Sequence, residues 1–174
     1  MQTSPTVVGR NMAATYQRIR IIFSGALFAA TCLMTGAAMA HGDVVPHGVD
    51  TSTLPVLSEK WLPENPYSEG PNHAEALRIG TSAYNQNCAR CHGLEALSGG
   101  IAPDLRKLDR DCMGLGDEAK KMACYKETDE YFLGTVRRGR VRDGRVYMPH
   151  FEGILNQEAM WSIKTYLETR RVAE

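Results

Sequence analysis

The sequence predicts an all-α protein. Three segments place apolar residues at the three- and four-residue spacing of a helix face, and each follows a residue that can cap a helix. No segment alternates convincingly between apolar and polar residues, and no stretch of the chain repeats another. The 174 residues, of which 43% are hydrophobic, suit one globular domain.

The first predicted helix runs from His73 to Asn87, with Asn72 as its cap. Leu77, Gly80 and Tyr84 share one face of this helix. Gly80 would allow another backbone to approach that face closely, because glycine has no side chain.

Two further helices are predicted in the second half of the chain. One covers residues 129–138, is capped by Thr128 and stops at Gly139. Its predicted buried residues are Tyr131, Phe132, Thr135 and Val136. The other covers residues 157–170 after the cap Asn156, and its apolar face consists of Met160, Ile163, Tyr166 and Leu167.

Residues 1–40 are predicted to be a secretory signal peptide. Their only charged side chains are three arginines, residues 21–33 are largely apolar, and Ala38-Met39-Ala40 supplies small residues before a cleavage site. An uncleaved anchor helix is the alternative. Cleavage would turn the balance of 20 Lys+Arg against 20 Asp+Glu into a net charge of −3, and it would remove Cys32, one of five cysteines.

Residues 41–71 are predicted to be a proline-rich arm, extended and not a packed element. The arm holds five prolines, which remove backbone donors and restrict φ. Trp61, Leu62 and Tyr67 could pin the arm to the body of the protein, which is predicted to cover residues 72–174.

Cys88-Ala89-Arg90-Cys91-His92 is the attachment signature of a c-type haem. This pattern predicts Cys88 and Cys91 as thioether anchors on one porphyrin and His92 as an axial iron ligand through Nε2. Three alternatives are a redox dithiol, a zinc site that recruits Cys112 and Cys124, and a disulfide within the motif. A dithiol of the thioredoxin type needs a strand before the motif, and Cys112 and Cys124 do not form a second Cys-x-x-Cys pair.

Met148 is predicted to bind the iron on the opposite side of the ring. It lies between a tight turn at Asp143-Gly144 and Pro149, and the proline favours an extended loop that can lie against a flat ring. A methionine that merely packs, and His150 as the ligand, are the alternatives.

Together these residues resemble a class I cytochrome c over roughly residues 74–170. The resemblance rests on three motifs, namely Cys88-x-x-Cys91-His92-Gly93, Ala102-Pro103-Asp104-Leu105 and Met148-Pro149-x-Phe151. It implies a class I cytochrome c fold of three main helices around one covalently bound haem, with the carbonyl of Pro103 accepting the Nδ1–H of His92. It also implies that Gly80 and Tyr84 meet Ile163 and Tyr166. More narrowly, the chain resembles the cytochromes c that serve PQQ-dependent (quinoprotein) ethanol dehydrogenases, which implies the partner.

The stretch 107–126 is longer than a minimal fold of this class needs. Cys112 and Cys124 lie within it and are expected to form a disulfide, because an exported protein meets an oxidising compartment. Closing this loop would be worth about 3 kcal/mol of stability. The bridge could shape a docking surface or simply staple a surface loop.

Five arginines lie within residues 137–145, just before Met148. Arg138 is a candidate contact to a haem propionate, since arginine binds carboxylates with two hydrogen bonds. The other arginines could steer an acidic partner, or the run could be a solvated basic turn.

The predicted function is that of a soluble periplasmic monohaem c-type cytochrome, which is not an enzyme and holds one haem c. It would accept electrons from a quinoprotein alcohol dehydrogenase and pass them toward a terminal oxidase or another cytochrome. Two alternatives remain open: a gas-binding or peroxide-reactive haem protein with an open sixth position, and a haem subunit of a larger dehydrogenase complex. The balanced charge gives no electrostatic footprint for nucleic acid, and no run reaches the roughly 18–20 apolar residues of a spanning helix.

Overall fold

A computed structural model describes residues 45–100 and 102–172 of the chain. The predicted signal peptide lies outside the described residues. The described elements, in chain order, are the helices α1 (His73–Asn87), α2 (Ala89–His92), α3 (Arg110–Met113), α4 (Glu118–Arg138) and α5 (Gln157–Glu168), the strands β1 (Arg140–Arg142) and β2 (Arg145–Met148) between α4 and α5, and the 3₁₀ turns Leu94–Ala96 and Leu105–Lys107. Helices dominate, so the predicted fold class is confirmed. Within the described ranges, no helix is both long enough and apolar enough to cross a bilayer.

Helices α1 and α5 begin where the sequence predicts them. α1 has the predicted bounds. α5 starts at Gln157, and the side chain of Asn156 caps it by accepting a 2.9 Å hydrogen bond from the N–H of Ala159. α5 ends at Glu168, slightly earlier than expected, because residues 169–170 form a turn.

Helix α4 is longer than predicted, and its predicted cap was wrong. It starts at Glu118, where Asp117 caps it by accepting a hydrogen bond from the N–H of Lys120. Thr128 lies inside the helix and donates its hydroxyl to the carbonyl of Cys124. The added turns are rich in Ala, Lys, Glu and Met, which favour a helix without forming an apolar face. Apolar periodicity therefore did not indicate them. Tyr131, predicted to be buried, is exposed.

A β-hairpin, which the sequence did not predict, connects α4 to the loop before α5. Its strands pair antiparallel, with Val141 opposite Val146 and Arg142 opposite Arg145. The predicted tight turn is present, and both Asp143 and Gly144 have positive φ, as in the two-residue turns of hairpins. The strands were missed because they are short and exposed on both faces, so burial imposes no alternation on their sequence.

The core centres on the crossing of α1 and α5. Gly80 lies so close to α5 that a Cβ atom there would overlap the main-chain carbonyl of Ser162. One turn further along, the rings of Tyr84 and Tyr166 pack with their centroids 4.9 Å apart. Trp161 and Met160 are fully buried in the same core.

The proline-rich arm has no regular element between residues 45 and 72, and the three residues expected to pin it to the body, Trp61, Leu62 and Tyr67, do contact or pack against the rest of the chain. Leu54 and Tyr67 are buried. The N–H of Leu62 donates to Gln157 of α5 over 2.6 Å, and the Trp61 ring lies under the guanidinium of Arg137. The arm is held because the side chains of α4 and α5 satisfy its backbone and cover its aromatic residues.

A disulfide joins Cys112 of α3 to Cys124 of α4. It links the two helices that the stretch 107–126 contributes. Cys112 is buried and its Sγ lies 3.6 Å from the hydroxyl of Thr128. The bridge therefore fixes α3 against the first half of α4.

We expect Gly80→Ala to lower the free energy of unfolding by about 1–3 kcal/mol or more, because the new methyl group would push α1 away from α5. Urea unfolding of the two proteins measures the difference. Gly116→Ala is the matched control, since a Cβ at Gly116 meets no atom of the described chain within 4 Å. Equal stability of Gly80→Ala and the wild type would contradict the crossing.

Candidate functional site

The Cys-x-x-Cys-His motif lies at the end of α1 and in the short helix α2. The N–H of Cys88 donates to the carbonyl of Tyr84, which closes the last turn of α1. The N–H groups of Cys91 and His92 both donate to the carbonyl of Cys88, over 3.1 and 2.9 Å. This tight turn holds positions i, i+3 and i+4 on one side of the chain, so both sulfurs and the imidazole point toward the same space.

That space is a cavity of about 480 Å³, within the size range of pockets that hold cofactors. Cys88, Cys91, His92, Pro103 and Met148 all line the cavity. Its remaining walls are mostly apolar and come from α4, the hairpin, the loop after the hairpin and α5; they include Phe132, Thr135, Val136, Tyr147, Phe151, Ile163 and Leu167. The structure thus brings together five residues that the sequence marked and that are up to 60 positions apart.

His92 is oriented by the segment that follows the motif. Its Nδ1 lies 2.9 Å from the carbonyl oxygen of Pro103. Because a carbonyl oxygen only accepts, Nδ1 carries the hydrogen and Nε2 keeps a free lone pair. A bidentate ion pair between Asp104 and Arg106 braces this segment, and the hydrogen bonds from Arg106 lower the pKa of Asp104. The imidazole is therefore fixed in the tautomer that a metal requires at Nε2.

The Cys88 thiol lacks the lowered pKa that is typical of a redox dithiol. Burial, with the neighbouring Cys91, raises the pKa of the Cys88 thiol to about 12, whereas reactive cysteines have a lowered pKa. Both sulfurs are free of a disulfide. Cys112 and Cys124 are joined to each other and so are not available as zinc ligands. The described ranges also contain no group of three or more His, Cys, Asp or Glu residues placed to hold a metal ion.

Met148 ends strand β2 and is half-buried in the cavity wall. The chain after it is tied to the end of α4, because the N–H of Phe151 donates to the carbonyl of Val136. His150, the alternative ligand, is exposed and does not line the cavity. The geometry therefore favours Met148 over His150.

Arg138 is not among the residues that line the cavity, whereas Arg140 is, and the contact of Arg138 with a haem propionate stays a prediction. α4 ends at Arg138, and Gly139 then turns the chain so that Arg140 begins β1. Arg140 donates to the hydroxyl of Thr135 over 2.6 Å and lies over the ring of Tyr131. Which arginine lines the cavity depends on where α4 ends. The helical periodicity of the sequence does not give that position.

A covalently attached haem needs two thiols, an imidazole with a free nitrogen and an apolar cavity, and a thioether is a common second axial ligand. The site holds all of these groups. The fold and the site together define a c-type cytochrome. Comparisons with known proteins agree with this class. Residues 75–167 match the family described as cytochrome c oxidase, cbb3-type, subunit III.

The chain is 46% identical to cytochrome c550 of Pseudomonas aeruginosa over 154 residues, which are 88% of this chain and 97% of that relative. It is also similar to two quinohemoprotein alcohol dehydrogenases of Pseudomonas putida, ADH-IIG (34% over 99 residues) and ADH IIB (30% over 96 residues). Those matches cover 57% and 55% of this chain but only 11% of each dehydrogenase. No solved structure matches the chain.

The chain belongs to the c-type cytochrome family. It is an electron carrier of the kind that holds haem c covalently, and not an enzyme.

We expect Gly139→Ala to disturb Met148 without touching its side chain. A Cβ at Gly139 would lie 2.7 Å from the carbonyl carbon of Pro149 and 2.8 Å from the nitrogen of His150, and the φ of +68° disfavours alanine. Because Met148 is predicted to bind the iron, the charge-transfer band of a methionine–iron bond in the ferric holoprotein should weaken. Gly114→Ala, in open space, serves as the control. An unchanged band in Gly139→Ala would show that this contact does not position Met148.

Proposed function

We propose that the protein holds one haem in the cavity, attached through Cys88 and Cys91 and bound axially by Nε2 of His92 and Sδ of Met148. The observation that carries this proposal is that the four side chains line one cavity. The chain contains one Cys-x-x-Cys-His motif, which supports a single haem. A haem bound there would supply an iron that gains and loses one electron.

The residues around the cavity have defined tasks in this proposal. The Pro103 carbonyl keeps Nε2 of His92 free for the iron and makes the imidazole a stronger donor. The thioether of Met148 favours the ferrous state and so raises the reduction potential. The apolar walls exclude water, which strengthens the influence of nearby charges on that potential.

We further propose a periplasmic location. The signal-peptide pattern of residues 1–40 supports it, as does the disulfide between Cys112 and Cys124, which is typical of exported proteins. The similarity to cytochrome c550 over nearly the whole of that relative fits the same location.

A PQQ-dependent alcohol dehydrogenase is the proposed electron donor, and a terminal oxidase or another cytochrome is the proposed acceptor. Two relatives named quinohemoprotein alcohol dehydrogenases contain a short part similar to this chain within a much longer protein. A separate cytochrome could accept electrons from a dehydrogenase in the same way that a cytochrome-like part would accept them within one chain. The similarity supports alcohol oxidation as the source of electrons.

The hairpin offers a surface on which the donor could dock. We call the exposed residues Arg142, Arg145, Val141 and Val146, together with Tyr147, the hairpin surface. Val141 and Val146 are 66% and 69% exposed, and Tyr147 also lines the cavity, so the surface continues to the cavity mouth. Exposed apolar residues among arginines fit a partner with an acidic rim around an apolar centre, which is how small transient redox interfaces combine steering with weak packing.

We expect ferric holoprotein to be reduced when purified PQQ-dependent alcohol dehydrogenase and ethanol are both present, and not when either is left out. A quinoprotein dehydrogenase for another substrate class, with its own substrate, is the control. The visible spectrum of the haem measures reduction. Failure of the alcohol dehydrogenase to reduce a haem that ascorbate does reduce would refute this donor while leaving the haem site intact.

Replacing both Arg142 and Arg145 by alanine should slow reduction by the donor about tenfold at low ionic strength, because electrostatic steering raises association rates by 10–10³. The difference should shrink as salt is added, since salt screens exposed charges. Stopped-flow rates measure it. Lys60→Ala with Lys120→Ala is the matched control, since both lysines are exposed and lie outside the hairpin surface. An equal loss in the control would assign the effect to net charge alone.

A further inference from the structure

Five charged side chains form a cluster that is largely buried except at Arg171: Asp109, Asp129, Lys164, Glu168 and Arg171, here called the Lys164 cluster. The side chains of Lys164, Asp109 and Asp129 are only 1%, 3% and 9% exposed. The ammonium of Lys164 lies 2.9 Å from Asp129, 2.9 Å from Glu168 and 3.4 Å from Asp109. Lysine is rarely buried so completely, and here three carboxylates hold it.

The cluster carries one more negative than positive charge when all five groups are ionised. Arg171 pairs with Asp109 and with Glu168, so two cations face three carboxylates. Among the described residues, Oδ1 of Asp109 and Oδ1 of Asp129 are both buried without a hydrogen-bond partner. Arg171 is partly exposed and connects the cluster to solvent. The pairing is therefore incomplete, and one carboxylate is held without a cation of its own.

The members of the cluster are close in the chain to residues that line the cavity. On α4, Asp129 comes one turn before Phe132, which lines the cavity. Three other cavity-lining residues each immediately precede a member of the cluster in the chain: Leu108 before Asp109, Ile163 before Lys164, and Leu167 before Glu168. The charges of the cluster are thus carried by residues next to those that line the cavity, and they act on it through the protein interior, where charges are less screened than in water.

Asp129 is the carboxylate of the cluster that we take as the proton acceptor, because its Oδ1 is buried and accepts no hydrogen bond within the described residues although it lies 2.9 Å from the ammonium of Lys164. Burial raises its pKa, and the nearby Lys164 only partly opposes that effect. The groups that face it are Lys164 and Glu168 from α5 and the N–H of Asn65 from the arm, which donates to its Oδ2 over 2.8 Å. Asp109 contacts the same ammonium from the other side.

We propose that Asp129 takes up a proton when the haem in the adjacent cavity is reduced, so that this cytochrome couples a proton to the electron it carries. The inference rests on the proposed haem site. One electron passes from the donor to the ferric iron, which becomes ferrous, and one proton passes from solvent to the carboxylate of Asp129. The two charges cancel within the low-dielectric interior. Reoxidation releases both.

The sign of the pH dependence follows from the charges. Protonated Asp129 brings the cluster to neutrality and favours the added electron, so the reduction potential is higher at low pH. As the pH rises through the pKa of Asp129, the cluster becomes negative and the potential falls. Once Asp129 is ionised in both redox states, the potential should no longer depend on this group.

Redox titration of the holoprotein from about pH 4, near the unperturbed aspartate value, to about pH 8 tests the proposal. In the wild type the potential should fall as the pH rises. Asp129→Asn should lose that part of the slope and favour the ferrous state about tenfold more at neutral pH, which is about 59 mV for one electron. Glu130→Gln is the matched control, because Glu130 is the next residue of α4 and is exposed. Equal slopes in Asp129→Asn and the wild type would overturn the proposal.

A second measurement uses only wild-type protein and does not depend on the folding of the variant. Redox-difference infrared spectra of protein labelled with ¹³C at the aspartate carboxyl should show a shifted C=O band of a protonated carboxyl in the ferrous state. Haem propionates would not carry the label. A spectrum without a labelled band would reject Asp129 as the proton acceptor, whereas a protein without any haem spectrum would reject the haem site itself.

Discussion

The close approach of α1 and α5 at Gly80 and Ser162 is the constraint on which the site depends. Cys88 directly follows α1, and Ile163 and Leu167 of α5 line the cavity beside it. A larger residue than glycine at the crossing would separate the two helices and so move the attachment motif away from one wall of its own cavity. The packed tyrosine rings, which are tilted by 39°, extend the contact toward the motif, since the hydroxyl of Tyr84 donates to the carbonyl of Gly93 over 2.8 Å.

The cavity lies between two regions of opposite charge. On its outer side the hairpin presents exposed arginines, and on its inner side the Lys164 cluster places three carboxylates against two cations. We propose that the first region acts on partners through water and salt, and that the second acts on the cavity through the protein interior. An electron carrier needs both kinds of control, because one sets how often a donor arrives and the other sets how strongly the electron is held.

The sequence predicted the parts of the fold that rest on local rules. Asn156 as a cap, the bounds of α1 and the Asp143-Gly144 turn follow from side-chain hydrogen bonding, periodicity and turn chemistry. The start of α4 at Glu118 and the exposed strands could not be read from apolar patterns, because neither buries a regular face. Attachment by Cys88 and Cys91 and ligation by His92 and Met148 remain predictions supported by their common cavity.

Other features depend on contacts between distant segments. Lys164 lies on a helix whose sequence suggests a solvated charge, and it is buried only because Asp109 and Asp129 reach it from other elements. The arm is likewise packed because α5 supplies acceptors at Gln157 for backbone donors that are far away in the sequence. Tertiary partners of this kind leave no local signal.

The intact mass of the protein, produced in a host that attaches haem to cytochromes and measured after denaturation, tests the central claim most directly. The account predicts a mass larger than that of the polypeptide by one haem, and a red colour that stays with the protein in acidified organic solvent. A colourless protein with the mass of its amino acids alone, or a haem that the solvent removes, would contradict it.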